Sequence, residues 1–215
     1  MGDLNLIQKI IVWSIPVLLA ITVHEVAHGW VARHRGDPTA MMLGRLTLNP
    51  LKHIDPIGTI MVPGLLFLFQ STFIFGWAKP VPVAWRNLKH PKRDMALVAI
   101  AGPAANLMMA ILWALLVKIG FALFQYFGNS ILLMIYMGWA GISINVALMI
   151  LNLLPIPPLD GGRVLVGLLP HPWAGQANRI EPFGLFIVIG LLVTGILQSI
   201  LAFAYEKFLW IFGLL

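Results

Sequence analysis

Cysteine is absent from the 215-residue sequence, and charged residues make up only 10% of it. The first absence excludes disulfides and thiolate metal ligands. The second accompanies a hydrophobic content of 60% and a mean hydropathy of +0.90, a combination that excludes an ordinary soluble domain. We therefore predict a multi-pass protein of the lipid bilayer, with a single membrane-embedded domain over residues 1–215.

Acidic residues are also scarce: there are eight, against 14 basic residues, for a net charge of +6. The basic residues fall in short loops, so we interpret them as a topology signal and expect no nucleic-acid partner.

Apolar runs of spanning length occur at residues 7–31, 95–124, 131–154 and 183–203. A further run, 57–77, is interrupted by Pro63 and Gly64. The predicted fold is an all-α polytopic membrane protein with about four full transmembrane helices and one re-entrant or partly inserted segment. Because the first run is too long for a signal peptide, we expect it to remain in the mature protein.

Residues 45–48 and 76–83 alternate or carry β-branched side chains, and they predict a small β element on the cytosolic side. Prolines confine such strands to edges. An edge strand could receive an extended substrate segment, or the region could be a structured loop with no role in substrate binding. The sequence favours neither interpretation.

The first apolar run contains His24-Glu25-Val26-Ala27-His28, an H-E-x-x-H motif. On a helix, positions i and i+4 share a face, so His24 and His28 can bind one metal ion. Glu25 would then lie beside that ion as a general base. Buried histidines and a carboxylate in lipid are costly unless they are paired or coordinated, which favours a metal site.

A catalytic zinc site usually has three protein ligands, and Asp160 is the best third candidate. It follows a proline-rich break at the end of the third apolar run and precedes Gly161 and Gly162, which permit a close backbone turn. Alone, this segment would be read as a solvent-facing turn.

Bringing Asp160 to the histidines requires the first and third helices to run in the same direction. The segment 57–77 must then return to its starting side. That topology places eleven basic residues on one side and three near the other, which predicts a cytoplasmic face for the site. The eleven are Arg33, Arg35, Arg45, Lys52, Lys79, Arg86, Lys89, Lys92, Arg93, Arg163 and Arg179, and the three are Lys9, Lys118 and Lys207.

At these residues the chain resembles the site-2 protease family of intramembrane zinc metalloproteases (peptidase family M50), in its short prokaryotic branch without a PDZ domain. The resemblance rests on His24-Glu25-x-x-His28 and on Asn152-x-x-Pro155-x-Pro157-x-x-Asp160-Gly161. The segments 76–83 and 101–106 also resemble that branch.

The resemblance implies one Zn²⁺ per chain on His24, His28 and Asp160, with Glu25 as general base for a zinc-activated water. Asn152 would bind the substrate or stabilise its oxyanion. It implies hydrolysis of peptide bonds within or near transmembrane helices of membrane-anchored regulatory proteins, often after an upstream protease has trimmed them. The location implied is the cell membrane of a prokaryote.

Asn106 and Asn145 are weaker substrate-binding candidates, because helix–helix hydrogen bonding is the commoner role of asparagine inside a membrane helix. The main alternative function is a membrane metal-ion transporter that uses the same His/His/Asp site. A catalytically silent scaffold is a third hypothesis. A fourth is a different H-E-x-x-H plan with Glu181 or Glu206 as the last ligand.

Overall fold

The computed structural model describes residues 4–69 and 76–215. The described residues form helices and connecting segments, with no β-strand among them. The α-helices in the described ranges are α1 (Leu6–His34), α2 (Thr39–Met42), α3 (Val62–Leu68), α4 (Pro91–Phe127), α5 (Leu132–Leu153), α6 (Asp160–Leu168), α7 (His171–Asn178), α8 (Gly184–Val193) and α9 (Ile196–Ile211).

Among the described residues, three helical stretches are long and apolar enough to cross a membrane, namely Leu6–His34, Pro91–Leu153 and Pro172–Val193. The second is α4 and α5 together, joined by the short turn Gly128–Ile131. The first three predicted spans are thus confirmed as helices α1, α4 and α5.

Helices α1, α4 and α5 form the core, and their contacts define their directions. His28 of α1 contacts Val98 of α4, whereas His24, one turn earlier, contacts Asn106, so α1 and α4 are antiparallel. Asn145 of α5 contacts Asn106, and Gly138 packs against Val117 further along α4, so α4 and α5 are also antiparallel. Helices α1 and α5 therefore run in the same direction, as predicted from the placement of the candidate ligands.

Small residues let these helices approach closely. A methyl group at Gly141 would lie 2.3 Å from the Trp113 ring, and one at Gly138 would lie 2.5 Å from Val117. Both positions need glycine for this packing, the usual device by which membrane helices bring their backbones together. Trp113 and Val117 are buried in the same cluster as Phe208 and Leu209 of α9.

The segment predicted to re-enter begins and ends at neighbouring points. The Trp77 N–H donates to the Gly58 carbonyl (3.0 Å), and the Lys79 N–H donates to the His53 carbonyl (2.9 Å). A path whose two ends are hydrogen-bonded starts and finishes on one side of the core, as the predicted topology requires. Residues 70–75 of the segment lie outside the described residues.

The predicted β element is wrong for the described residues: 46–48 form a bend, and 76–83 form an extended segment that pairs with no strand. Pro80 and Pro82 have no N–H to give to a ladder. The two pieces meet through a side chain instead, since the Arg45 guanidinium donates to the carbonyls of Lys79 (2.9 Å) and Pro80 (3.4 Å).

The predicted fourth span, 183–203, is also wrong as one helix. It breaks after α8, where Gly195 adopts a left-handed conformation (φ 78°) and its N–H donates to the Leu192 carbonyl. The Thr194 hydroxyl donates to the Gly190 carbonyl (2.8 Å). Glycine after a helix end is a common stop signal, which the uniform hydrophobicity of the run concealed.

Candidate metal centre

Three candidate ligands from distant parts of the chain meet at one point. Nε2 of His24 and Nε2 of His28 lie 3.0 Å apart, one turn from each other on α1. Oδ2 of Asp160, at the start of α6, lies 3.2 Å from each of these nitrogens. Both histidines are buried, and the Asp160 side chain is 14% exposed. The predicted set is therefore brought together by α1 and α6.

The local sequence explains how Asp160 reaches the histidines. Helix α5 ends at Leu153, and the chain turns through Pro155, Pro157 and Pro158 into α6. A methyl group at Gly161 would lie 2.3 Å from the Leu153 carbonyl oxygen, so this turn folds back onto the helix end at a distance that only glycine permits.

In each histidine, the hydrogen bond made by Nδ1 determines whether Nε2 has a lone pair for a metal ion. Nδ1 of His28 lies 2.8 Å from the Val98 carbonyl, and Nδ1 of His24 lies 2.5 Å from Oδ1 of Asn106. Because both partners are acceptors, both Nδ1 atoms carry the proton and both Nε2 atoms present lone pairs.

The cluster fits a divalent cation. Two imidazole lone pairs face each other beside Oδ2 of Asp160, a buried oxygen with no hydrogen-bond donor among the described residues. Such an arrangement is repulsive unless a cation neutralises it. The ligand atoms lie within 4.8 Å of one another, and a nitrogen/oxygen set of this kind suits Zn²⁺.

Gly102 of α4 keeps the space around the cluster open. A methyl group at this position would lie 2.4 Å from Nε2 of His28 and 2.6 Å from Nε2 of His24. Any side chain at residue 102 would therefore collide with Nε2 of both histidines.

The ligands line a cavity of about 570 Å³ that also contains Glu25 and Asn152. Oε2 of Glu25 accepts the Val81 N–H (2.7 Å), so the extended segment 76–83 holds this carboxylate from one side. Asn152 is half-buried, and its Nδ2 donates to the Leu148 carbonyl (3.0 Å) within α5. One amide hydrogen of Asn152 remains for another acceptor.

Asn106 and Asn145 do not line this cavity. Both are fully buried between helices, and Nδ2 of Asn106 donates to Oδ1 of Asn145 (2.9 Å). The expected helix–helix hydrogen bond is confirmed, and the weaker expectation of substrate contact finds no support in their position behind the ligands. Glu181 and Glu206 are absent from the ligand cluster formed by the described residues.

Comparisons with known proteins identify the family of this chain. The family model described as "Peptidase family M50" matches residues 121–195. A Bacillus subtilis protein named "Putative zinc metalloprotease YwhC" is 38% identical over 187 residues, which cover 84% of this chain and 79% of the relative. The chain belongs to peptidase family M50. "Putative zinc metalloprotease Rip2" of Mycolicibacterium smegmatis is 31% identical, covering 91% of this chain and 70% of the relative. No solved structure matches the chain significantly.

Membership of M50 confirms the predicted family and the predicted class of enzyme, a zinc metallopeptidase in the membrane. The M50 match begins after the histidine motif and includes Asn152 and Asp160.

Sequence reasoning missed three contacts around this M50 site. These are the Val81 N–H on Glu25, the Val98 carbonyl on His28, and Arg163, which lines the cavity with its guanidinium 4.9 Å from the Trp85 ring. The first two are made by the backbone and leave no residue-type signal. Arg163 could have been noticed, because it lies one helical turn after Asp160.

Proposed function

We propose that this M50 protein is an intramembrane zinc endopeptidase. It hydrolyses peptide bonds within or near transmembrane segments of membrane-anchored proteins. The observation that carries the proposal is the convergence of His24, His28 and Asp160 in one cavity with Glu25, on helices that are apolar enough to span a bilayer. The zinc metalloproteases named among the relatives favour a peptidase over the alternative metal-ion transporter.

His24, His28 and Asp160 would hold the zinc ion. When bound, zinc supplies Lewis acidity toward the scissile carbonyl and toward a water molecule. Glu25 acts as general base: with Oε2 fixed by the Val81 N–H, Oε1 accepts the proton of the attacking water. The same carboxyl then delivers that proton to the leaving amine.

Asn152 supports the developing negative charge. Its Nδ2 donates one hydrogen to Leu148 and has a second for the substrate oxyanion. A single donor of this kind typically contributes about 3 kcal/mol to transition-state stabilisation.

The substrate must enter the cavity in a locally unwound form. The cavity has a volume of about 570 Å³, within the range of small-ligand pockets. The carbonyls of a substrate helix are hydrogen-bonded within that helix, so it must unwind locally before one of them can be attacked. Segments that contain glycine or proline should be preferred, and the extended segment 76–83 is the wall against which such a peptide would lie.

The basic loops support a cytoplasmic orientation for the site in a prokaryotic cell membrane. Charge bias alone carries this part of the proposal. An upstream protease that trims the substrate first remains an expectation from the family resemblance.

The experiment compares the purified wild type with Glu25→Gln on a fluorogenic single-span peptide that carries a Gly-Pro step, in lipid vesicles. Loss of the general base should lower cleavage by at least about 100-fold. Zinc content should stay unchanged, because Glu25 is not among the ligands.

Glu206→Gln on the exposed face of α9 is the matched control and should cleave normally. Cleavage by Glu25→Gln at the wild-type rate would remove the residue from its assigned role. Zinc transport into vesicles by both variants, without cleavage, would support the transporter instead.

A further inference from the structure

A chain of buried amides leads from the ligand cluster into the centre of the helical core. Asn106 of α4 and Asn145 of α5 are both 0% exposed. Oδ1 of Asn106 faces Nδ1 of His24 at 2.5 Å, and Nδ2 of Asn106 faces Oδ1 of Asn145 at 2.9 Å. Nδ2 of Asn145 faces the Gly141 carbonyl at 2.9 Å. The chain thus ends on a backbone oxygen.

The hydrogen bond from Asn145 to the Gly141 carbonyl determines which atom donates in each of the other hydrogen bonds of this chain. A backbone carbonyl can only accept, so Asn145 must turn its NH₂ group toward Gly141 and its oxygen toward Asn106. Asn106 must then donate through Nδ2, which also reaches the Ala20 carbonyl at 3.3 Å. Its oxygen is therefore left for His24, whose Nδ1 must carry the proton.

The two histidines donate from Nδ1 to different kinds of acceptor. His28 donates from Nδ1 to the Val98 carbonyl, which the α4 helix holds in place. His24 donates to a side-chain amide, and an amide can rotate by 180° and present NH₂ instead of oxygen. A rotated Asn106 would favour a proton on Nε2 of His24, which would remove one metal ligand. Oδ1 of Asn145 and the Ala20 carbonyl both accept from Nδ2 of Asn106, and together they prevent that rotation.

We propose that Asn106 and Asn145 are positioning residues that keep His24 in the tautomer protonated at Nδ1, so that Nε2 stays free for a divalent cation. Asn106 acts directly, and Asn145 acts by fixing the direction of the Asn106 amide. The proposal rests on the metal site of the proposed function but not on peptidase activity.

The test combines two measurements on the full-length protein in detergent micelles. ¹⁵N NMR of the histidine rings in the zinc-free protein reports the tautomer of each imidazole, with His24→Gln used to assign the His24 signals. Competition with a chelator reports Zn²⁺ affinity. Neither readout requires a substrate, so a failed peptidase assay would leave this test intact.

Asn106→Leu removes the acceptor and should give His24 a mixture of tautomers, with Zn²⁺ affinity lower by about 10–100-fold, the usual effect of losing such a partner. Asn106→Asp keeps an acceptor oxygen at Nδ1. Its second oxygen meets Oδ1 of Asn145, so either that oxygen carries a proton or Asn145 turns its amide, and in both cases the single tautomer and most of the affinity should return. Asn145→Leu should cause a smaller loss and the appearance of the second tautomer.

His28 provides the internal control, because its Nδ1 partner is backbone. Its signals should stay those of the wild type in every variant. The proposal is overturned if Asn106→Leu leaves His24 and the affinity unchanged, or if Asn106→Asp loses as much as Asn106→Leu. A joint change of both histidines would mean that the asparagines only support the fold. Should Asn106→Leu fail to fold, Asn106→Asp and Asn145→Leu still decide between these outcomes.

Discussion

The helical core and the connector between α1 and α4 build the site in different ways. The core helices α1, α4 and α5 are joined by close packing at glycines and by a few buried amides. In the described residues of the connector, 35–69 and 76–90, the helical pieces are short, and polar side chains that bind backbone groups hold them in place. Asp37, Arg45 and Asp55 each make such contacts. One region supplies rigidity through packing, the other through hydrogen bonds.

This difference divides the chemistry of the proposed site. The core presents the two histidines, and the turn after it presents Asp160, on elements whose positions are fixed by helix contacts. The connector contributes the Val81 N–H that holds Glu25 and a wall of the cavity where the substrate would lie. Metal binding should therefore depend on the core, and the rate of cleavage on both regions.

Gly102→Ala is the most direct test of metal binding by the helical core. The added methyl group would lie 2.4–2.6 Å from the ligand nitrogens. We expect the variant to lose most of its zinc and all measurable cleavage, with an overpacking cost of about 1–3 kcal/mol that leaves the protein folded.

Zinc content and thermal unfolding in detergent would check this expectation. Gly190→Ala is the matched control, because a methyl group there meets nothing within 4 Å. Normal zinc binding by Gly102→Ala would show that the cluster is not where the metal lies.

On the connector side, Asp37→Asn should reduce stability without removing zinc. Asp37 is fully buried and accepts hydrogen bonds from Thr39, Asn87 and the Ala84 N–H, which ties the start of the connector to its end. Burial would raise the pKa of Asp37, but these hydrogen bonds outweigh burial and hold the pKa below its ordinary value. An amide cannot accept from all these donors, so the free energy of unfolding should fall by about 1–3 kcal/mol.

The pH dependence has a definite sign. A carboxylate with a lowered pKa stabilises the folded protein above the pKa of the unfolded state, and this contribution is lost as the pH falls through the folded pKa. The difference in the free energy of unfolding between wild type and Asp37→Asn should thus be largest at neutral pH and should shrink below about pH 4. A difference that grows on acidification would contradict the assignment.

A smaller effect is expected for Arg45→Ala, which frees the carbonyls of Lys79 and Pro80. Loosening the extended segment should misplace the Val81 N–H and slow cleavage by about fivefold, the factor that corresponds to one hydrogen bond of about 1 kcal/mol. Zinc content should not change. Arg179→Ala, at an exposed position after α7, is the control for loss of a positive charge. Equal effects of the two variants would argue against a specific role for Arg45.

The core could be predicted from sequence because its signals are local. Hydrophobic runs define α1, α4 and α5, and the four-residue spacing of His24 and His28 places both on one helix face. The requirement that Asp160 reach them then fixes the relative helix directions. The family resemblance identified the same residues, and membership of M50 confirms it.

The structure of the connector could not be predicted from the sequence because it depends on contacts of backbone groups that are far apart in the chain. Alternation at residues 45–48 and 76–83 indicated strands, but the N–H groups of Trp77, Lys79 and Val81 go to a helix turn, a loop carbonyl and a carboxylate. Residue types do not encode such partners. The break at Gly195 was missed for a different reason, since the hydropathy of the run continues across it.

The central claim is that His24, His28 and Asp160 hold one zinc ion. Its most direct test is the zinc content of purified wild type and Asp160→Asn after dialysis against a weak chelator, with Asp55→Asn as a carboxylate control that caps the helical turn Pro56–Met61. We predict one zinc per chain in the wild type and the control, and a large loss in Asp160→Asn. Wild-type zinc content in Asp160→Asn would contradict the account.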